Sequence, residues 1–242
     1  MIYKQIKPHP ELTEYIDAFW VVEGVTKQVK ATSILPDGCV DLIFNLGDDC
    51  KTDNGILENG KTYLVGTMTT SQESFLSTQH KLMGVRFKPA AFPYFYKYTS
   101  LDQVVNQIID FEKELSPHIN KLQQYSFSYL NSYFLNRFNN QKNYLFPVIN
   151  DIRMSMGQIS IDELAKRNFV TVRQLERNFK KFIGISPKEF ANILRFEFTL
   201  EKIKNNPQRK NLQEIAFECG YYDHSHLSNE IKRYTKLSPS QL

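Results

Sequence analysis

Residues 171–182 read TVRQLERNFKKF. Leu175, Phe179 and Phe182 stand at i, i+4 and i+7, so they line one face of a helix. The other positions carry Arg173, Gln174, Glu176, Arg177, Lys180 and Lys181. None of these makes a nucleophile–base pair or a metal-ligand set. They are side chains that reach base edges or neutralise phosphates: arginine's fork matches the two acceptors of guanine, glutamate accepts from the cytosine amino group, and lysine pairs with phosphate. The pattern returns 52 positions later in DHSHLSNEIKRY. There Leu227, Ile231 and Tyr234 keep the spacing, and Lys232 and Arg233 fall where Lys180 and Lys181 fell.

The repeat extends upstream into the elements that must position these helices. Ile161, Leu164 and Ala165 match Leu212, Ile215 and Ala216 at an offset of 51, which becomes 52 from Leu175 and Leu227 onward. The extra residue therefore lies in a turn, which tolerates an insertion. Each copy reads as helix, tight turn, helix, and the alanine supplies the small side chain that two steeply crossing helices need. Gly220 stands where a left-handed turn residue is wanted, and Asn168-Phe169 occupies that region in the first copy. Helix starts are marked by Ser160-x-x-Glu163, Thr171-x-x-Gln174, Ser186-Pro187-x-Glu189, Asn211-x-x-Glu214 and Ser238-Pro239-x-Gln241. Residues 186–205, with Phe190, Ile193, Leu194, Phe196, Leu200 and Ile203, form a joining helix apolar enough to sit between the two units, and NNPQRKN ends it.

A helix-turn-helix presents its second helix to a DNA major groove. The expected base contacts are Arg173, Glu176 and Arg177 from the first unit, and His224, Ser225, Ser228 and Asn229 from the second. Thr171, Lys180, Lys181, Lys232 and Arg233 are expected at phosphates, and Arg195 either at a phosphate or holding the joining helix in place.

Charge agrees with this division. The chain of 242 residues carries a net +4, but residues 1–150 hold 14 Lys+Arg and 15 Asp+Glu, whereas residues 151–242 hold 16 and 11. The basic part suits a polyanionic partner. No apolar run approaches the roughly 18 residues of a membrane span, and the N-terminus lacks an apolar signal-peptide core. Cys39, Cys50 and Cys219 follow no disulfide or zinc spacing, which fits reduced thiols in a cytoplasmic protein.

Residues 1–90 look β-rich: CVDLIFNL after Pro36-Asp37-Gly38, TYLVGTMT, and KLMGVRFKP ending at Pro89. HPELTEYIDAFWVVEG begins as a short helix and runs into a strand. Residues 91–142 read as helical, with Pro117 breaking the run and Ser116 capping the next helix. The polar stretch 136–143 marks the domain boundary, giving domains 1–142 and 143–242.

Chemistry is sparse in the first half. His9 and His80 stand alone and are expected at the surface or in turns. Asp37 and Asp41 are read as a turn residue and a strand-edge residue rather than an acid/base pair. There is no phosphate-cradling glycine loop, and no cofactor or metal site is expected. Trp20, Phe44, Tyr63, Phe75, Phe87, Phe92, Tyr94, Phe95 and Tyr96 either pack a core or line a pocket. Arg86 and Lys88 would meet an anionic ligand if they pointed inward, and water otherwise.

Residues from about 148 to 242 resemble the DNA-binding domain of the AraC/XylS family of bacterial transcription regulators. The carrying residues are Ile161-x-x-Leu164-Ala165, Leu175-x-x-x-Phe179-Lys180, Gly184-x-Ser186-Pro187, Arg195, Ile215-Ala216-x-x-x-Gly220-Tyr221 and His226-Leu227-Ser228. The family usually has Phe where Ile231 stands and Gly where Lys236 stands. The first half resembles uncharacterised N-terminal domains attached to some members, through Tyr15-x-x-x-Phe19-Trp20, Leu35-Pro36-Asp37-Gly38-Cys39-x-Asp41-Leu42-Ile43-Phe44 and Gly84-Val85-x-Phe87-Lys88-Pro89. The resemblance implies an α+β N-terminal domain, a small cupin-like β-barrel plus helices, followed by an all-α domain with two helix-turn-helix units on a linker helix. It implies a transcription regulator rather than an enzyme. Its partners would be double-stranded DNA, RNA polymerase, a second copy of the chain, and a small-molecule effector in the N-terminal domain. Two rivals stay open: a metabolite-binding or enzymatic barrel fused to a helical protein-interaction domain, and an RNA-binding regulator. Salt-dependent binding to DNA separates the first from a DNA-binding regulator. The second lacks evident stacking aromatics on either recognition helix.

Overall fold

Period-two alternation places the strands. In β4 (Val40–Asn45), Val40, Leu42 and Phe44 face one core while Asp41 and Ile43 face the other side. In β9 (Gln79–Phe87), Met83, Val85 and Phe87 share the first side, and Leu82 and Arg86 the second. Such strands are covered on both faces. The computed structural model describes residues 2–25, 29–76, 78–98, 100–139, 144–206 and 210–241.

A six-stranded antiparallel sheet forms the spine of the N-terminal half. Its order is β1 (Ile2–Ile6), β2 (Ile16–Val25), β9, β4, β7 (Thr62–Val65) and β10 (Ile108–Asp110). The second sheet runs β3 (Lys30–Ile34), β8 (Gln72–Leu76), β5 (Cys50–Thr52), β6 (Gly55–Leu57). The two sheets face each other across Trp20, Ile43, Leu57, Val65, Leu76 and Leu82, as an open two-sheet form of the expected barrel. The outer face of the larger sheet packs on Phe92, Tyr94, Phe95, Tyr96 and helix α1 (Ile119–Arg137), which breaks at Ser126. Most of the aromatic residues are therefore core.

Three expectations for this half need correction. Residues 91–142 are not continuously helical: short 3-10 turns at Phe92–Tyr94, Leu101–Val104 and Lys113–Leu115 surround β10, where Ile108 pairs with Val65. Ser116 does not cap α1. His118 precedes that helix, while the Ser116 hydroxyl meets Thr62 Oγ1 at 2.7 Å. His80 is not a surface or turn residue but lies buried in β9.

The C-terminal half is helical throughout: α2 (Leu145–Met154), α3 (Ile161–Arg167), α4 (Val172–Phe182), α5 (Pro187–Lys204), α6 (Leu212–Glu218) and α7 (His224–Thr235). Its core includes Leu164, Ala165, Leu175, Phe179, Phe190, Ile193, Leu194, Phe196, Ile215, Ala216, Leu227, Ile231 and Tyr234. N-terminal residues join it: Ala90 lies within this core, and Leu35 and Val105 pack against it. Thr67 Oγ1 donates to the carbonyl of Ile183 at 2.5 Å, and the Phe146 ring of α2 lies 5.8 Å from Tyr15. The boundary expected near residue 142, and the Pro207–Arg209 part of NNPQRKN, lie outside the described residues.

Gly84 shows how tightly β9 packs on its neighbour β2, where it stands opposite Trp20. A Cβ there would stand 2.1 Å from Cε2 of Trp20, whose indole Nε1 donates to Asp41 Oδ1 at 2.7 Å. Gly84→Ala should destabilise the fold by about 1–3 kcal/mol, the usual cost of overpacking a core. Urea denaturation measures it. An unchanged midpoint would mean the Trp20 ring yields freely.

Candidate nucleic-acid interface

Each recognition helix is built the same way. In the first unit Asn168 closes α3, donating from Nδ2 to the Leu164 carbonyl (3.0 Å) and to Asp151 Oδ2 (2.9 Å). Phe169 then takes a left-handed φ of 53° with its ring 96% exposed. Thr171 starts α4, its Oγ1 accepting the Gln174 N–H at 3.1 Å. In the second unit Cys219 closes α6, Gly220 takes φ 73°, and Asp223 starts α7 by accepting the His226 N–H at 2.7 Å. From closing to starting residue the second turn is one residue longer, where the offset of the repeat changes.

The helix-start signatures differ in how far they are used. Asn211 and Glu214 complete a reciprocal capping box. Ser186 accepts the Glu189 N–H at 3.1 Å, but the Glu189 carboxylate turns away to bind Arg233 Nη2 (2.7 Å) and the Tyr234 hydroxyl (3.2 Å). This ties the end of α7 to the start of α5. Lys236, where the family usually has Gly, closes α7 in a left-handed conformation, φ 63°.

With Leu175 and Phe179 buried, α4 turns Arg173, Arg177, Lys180 and Lys181 outward, and Glu176 is half-buried beside them. No side-chain ion pair engages these five among the described residues. Thr171 is exposed. On α7, Leu227, Ile231 and Tyr234 are buried, while His224, Ser225, Asn229 and Lys232 are exposed. Ser228 is half-buried and its hydroxyl donates to the His224 carbonyl at 2.7 Å. Two expected phosphate residues have partners inside the domain. Arg233 is paired with Glu189. Arg195 lies half-buried with its guanidinium 4.8 Å from the Tyr221 ring and Nη2 donating to Asn192 Oδ1 at 3.0 Å. Sequence reasoning passed over Gln213, whose Oε1 meets His224, because that contact joins residues on different helices.

The N-terminal half holds a cavity of about 470 Å³ between its two sheets. Trp20, Ile43, Leu57, Val65, Leu76 and Leu82 wall it. Arg86 turns into it, with Nε 3.3 Å from Asp37 Oδ2 and 3.5 Å from Asp41 Oδ2. Asp37 and Asp41 thus hold one guanidinium rather than act as an acid/base pair. Burial pushes the Asp41 carboxyl up to about 6, with Arg86 pulling against it. A wider groove of about 820 Å³, near Lys61, Asp110 and Asn120, is more polar and lacks facing sheet walls. No group of three or more His, Cys, Asp or Glu among the described residues could hold a metal ion.

Glu197 of α5 lies where the halves meet. Burial pushes its carboxyl up to about 8, Asp37 adds to the rise, and Arg153 and Arg86 oppose it. The folded state therefore keeps a proton that the unfolded chain releases above about 4.5, so this contribution to stability is full below that pH and fades as pH rises towards 8. Glu197→Gln should leave stability near pH 4.5 unchanged and raise it increasingly towards pH 8. Denaturation midpoints across that range check the sign; parallel curves for the two proteins would contradict it.

Residues 164–242 match a family described as a helix-turn-helix domain, and residues 4–110 match a domain of unknown function (DUF6597). Among curated proteins, the chain is 29% identical over 85 residues to the HTH-type transcriptional activator RhaS of Mannheimia succiniciproducens, covering 35% of this chain and 31% of that protein. It is 29% identical over 82 residues to the HTH-type transcriptional regulator MtrA of Neisseria gonorrhoeae, covering 34% and 27%. The chain thus spans less than a third of the length of these relatives. An apo lysine-to-alanine variant of ToxT from Vibrio cholerae superimposes with a TM-score of 0.53 at 12% identity, over 92% of this chain and 96% of that one. Unsaturated fatty acid bound ToxT gives 0.54 at 11%, over 92% and 94%. At these identities the likeness is one of fold, and it extends across both halves.

Proposed function

We propose, from a C-terminal domain that is an AraC-type helix-turn-helix domain, that this chain is a sequence-specific DNA-binding transcription regulator of the bacterial cytoplasm. The observation that carries the reading is the pair of outward helix faces on α4 and α7, both fixed to α5, with Arg173, Arg177, Lys180, Lys181 and Lys232 exposed. Two units on one rigid helix suit successive major-groove segments, about 34 Å or 10–10.5 base pairs apart. Arg173, Glu176 and Arg177, with His224, Ser225, Ser228 and Asn229, are the base-reading set. Thr171, Lys180, Lys181 and Lys232 are the phosphate set. Arg195 and Arg233 support the frame instead. The matched relatives are named as transcription regulators, and no observation favours an enzymatic reading.

The N-terminal half is proposed to modulate this binding, through a small effector in the inter-sheet cavity and through pairing of two copies of the chain. Residues 35–39 link the cavity to the DNA-binding half. Leu35 and Asp37 line the cavity, and Gly38 lies so close to Phe190 of α5 that a Cβ would stand 2.5 Å from the ring. Phe190 in turn meets Phe179 of α4, ring centroids 5.8 Å apart.

Selection of bound sequences from a random DNA pool by the full chain tests the function. The expected result is an enriched site with two separated motifs; no enrichment contradicts the reading. Arg177→Ala should relax specificity at one or two positions by about 1–3 kcal/mol, the worth of a good bidentate pair. An unchanged binding logo removes Arg177 from the base-reading set. Lys180→Ala should weaken binding to all sequences alike and flatten the log–log salt slope by about 0.9. A lysine whose loss changes neither is solvated only.

A further inference from the structure

The Gln213 side chain of α6 reaches the first residue of α7. Its Oε1 accepts the backbone N–H of His224 at 3.2 Å and faces His224 Nδ1 at 2.9 Å. The first contact determines the chemistry of the second. A backbone N–H only donates, so the Gln213 atom at this position is its carbonyl oxygen and not its amide nitrogen. A carbonyl oxygen only accepts, so Nδ1 carries the ring proton. In the neutral imidazole the lone pair then belongs to Nε2. The two nitrogens diverge across the ring, so Nε2 is directed away from Gln213. His224 is exposed and opens the helix, and the N-terminal residues of the second helix in such units contact base edges.

From this geometry we propose that Gln213 is a positioning residue that fixes His224 as a hydrogen-bond acceptor, so that the second unit reads an exocyclic amino group, adenine N6 or cytosine N4, at the base His224 faces. The inference rests on the DNA-binding reading of this domain. A phosphate oxygen only accepts, so Nε2 in this state has nothing to offer one. Guanine O6 and N7 and thymine O4 are likewise acceptors and would oppose its lone pair. Among the neighbouring candidates, the side chains of Ser225 and Asn229 can each donate or accept, and Ser228, whose hydroxyl proton goes to the His224 carbonyl, keeps acceptor capacity but is half-buried where His224 is exposed.

The test uses the full chain at pH 8, with two readouts. The first is sequence selection from a random DNA pool. The second is the ¹⁵N signature of the His224 ring, assigned by comparison with His224→Ala. Wild type should show a protonated Nδ1 and should favour A or C over G or T at one position of the second motif. His224→Ala should erase that preference alone. Gln213→Leu, which removes the acceptor, should mix the two tautomers and reduce the preference by about three- to tenfold, the worth of one hydrogen bond. Gln213→Glu keeps an acceptor and should retain the proton on Nδ1. Four results overturn the proposal: an Nε2-protonated ring in wild type, a His224-dependent preference for G or T, a motif unchanged in His224→Ala, or an undiminished preference in Gln213→Leu. Failure of wild type to enrich any sequence overturns the DNA-binding reading and this inference together. Enrichment of a site indifferent to His224 overturns this inference alone.

Discussion

Helix α5 cannot stand in water, and the C-terminal half is arranged around that fact. Phe190, Ala191, Ile193, Leu194, Phe196, Thr199 and Leu200 are buried at positions that run round the helix rather than down one stripe. Burying an aliphatic or aromatic side chain is worth about 1.5–3 kcal/mol each, so exposure on any side is costly. One unit cannot cover such a helix. Two can, and Phe179 meets Phe190 from one side while Tyr234 meets Phe196 from the other, ring centroids 5.8 and 4.6 Å apart. The fixed mutual placement of the two recognition helices results from this covering.

Within each unit the same economy appears at the turns. A left-handed residue must reverse the chain after the first helix. Gly220 does so without strain, whereas Phe169 does so with a Cβ, which disfavours that conformation by roughly 1–2 kcal/mol. Phe169 also leaves its ring in solvent, so its own packing returns nothing in compensation. The Asn168 amide, bound to Asp151 and to the Leu164 carbonyl, supplies local support at that turn. The second unit has the better turn residue but closes α7 on Lys236 in the same strained region.

The features legible in the sequence are those that depend on residues close together along it. The apolar stripes of α4 and α7, the offset change in the turn, the caps at Thr171 and Asn211, and the strands at 40–45 and 79–87 all obey local periods. Features set by distant partners could not be read this way. Ile108–Asp110 is a strand because β7 offers it an open edge, although its neighbourhood reads as helix. Ser116 was available as a cap but pairs with Thr62, 54 residues away. His80 is polar, yet β9 is covered on both faces, so the alternation that buries its neighbours buries it too. Arg195 and Arg233 look like phosphate ligands by type and position. Only the folded chain shows Tyr221 beneath the first and Glu189 beside the second. The exposed set, Arg173, Arg177, Lys180, Lys181 and Lys232, was legible because an exposed face needs no long-range partner.

The same distinction bears on how the halves are joined. Were they joined only by the stretch near residue 142, the cavity could influence α4 and α7 only through their average position. They are instead packed together. Asp37 shares Arg86 with Asp41 at the cavity, the next residue lies against Phe190, and Phe190 lies against Phe179 on the buried face of α4. Close-packed interiors transmit small displacements because few voids absorb them. Gly38 has a left-handed φ of 73° and no room for a side chain, so the loop has little freedom to move without moving Phe190. The effector proposed for the cavity, by drawing Arg86 or Asp37 towards itself, would act on α5 through Gly38 and Phe190. Both recognition helices would feel the change together, because both are packed on that helix.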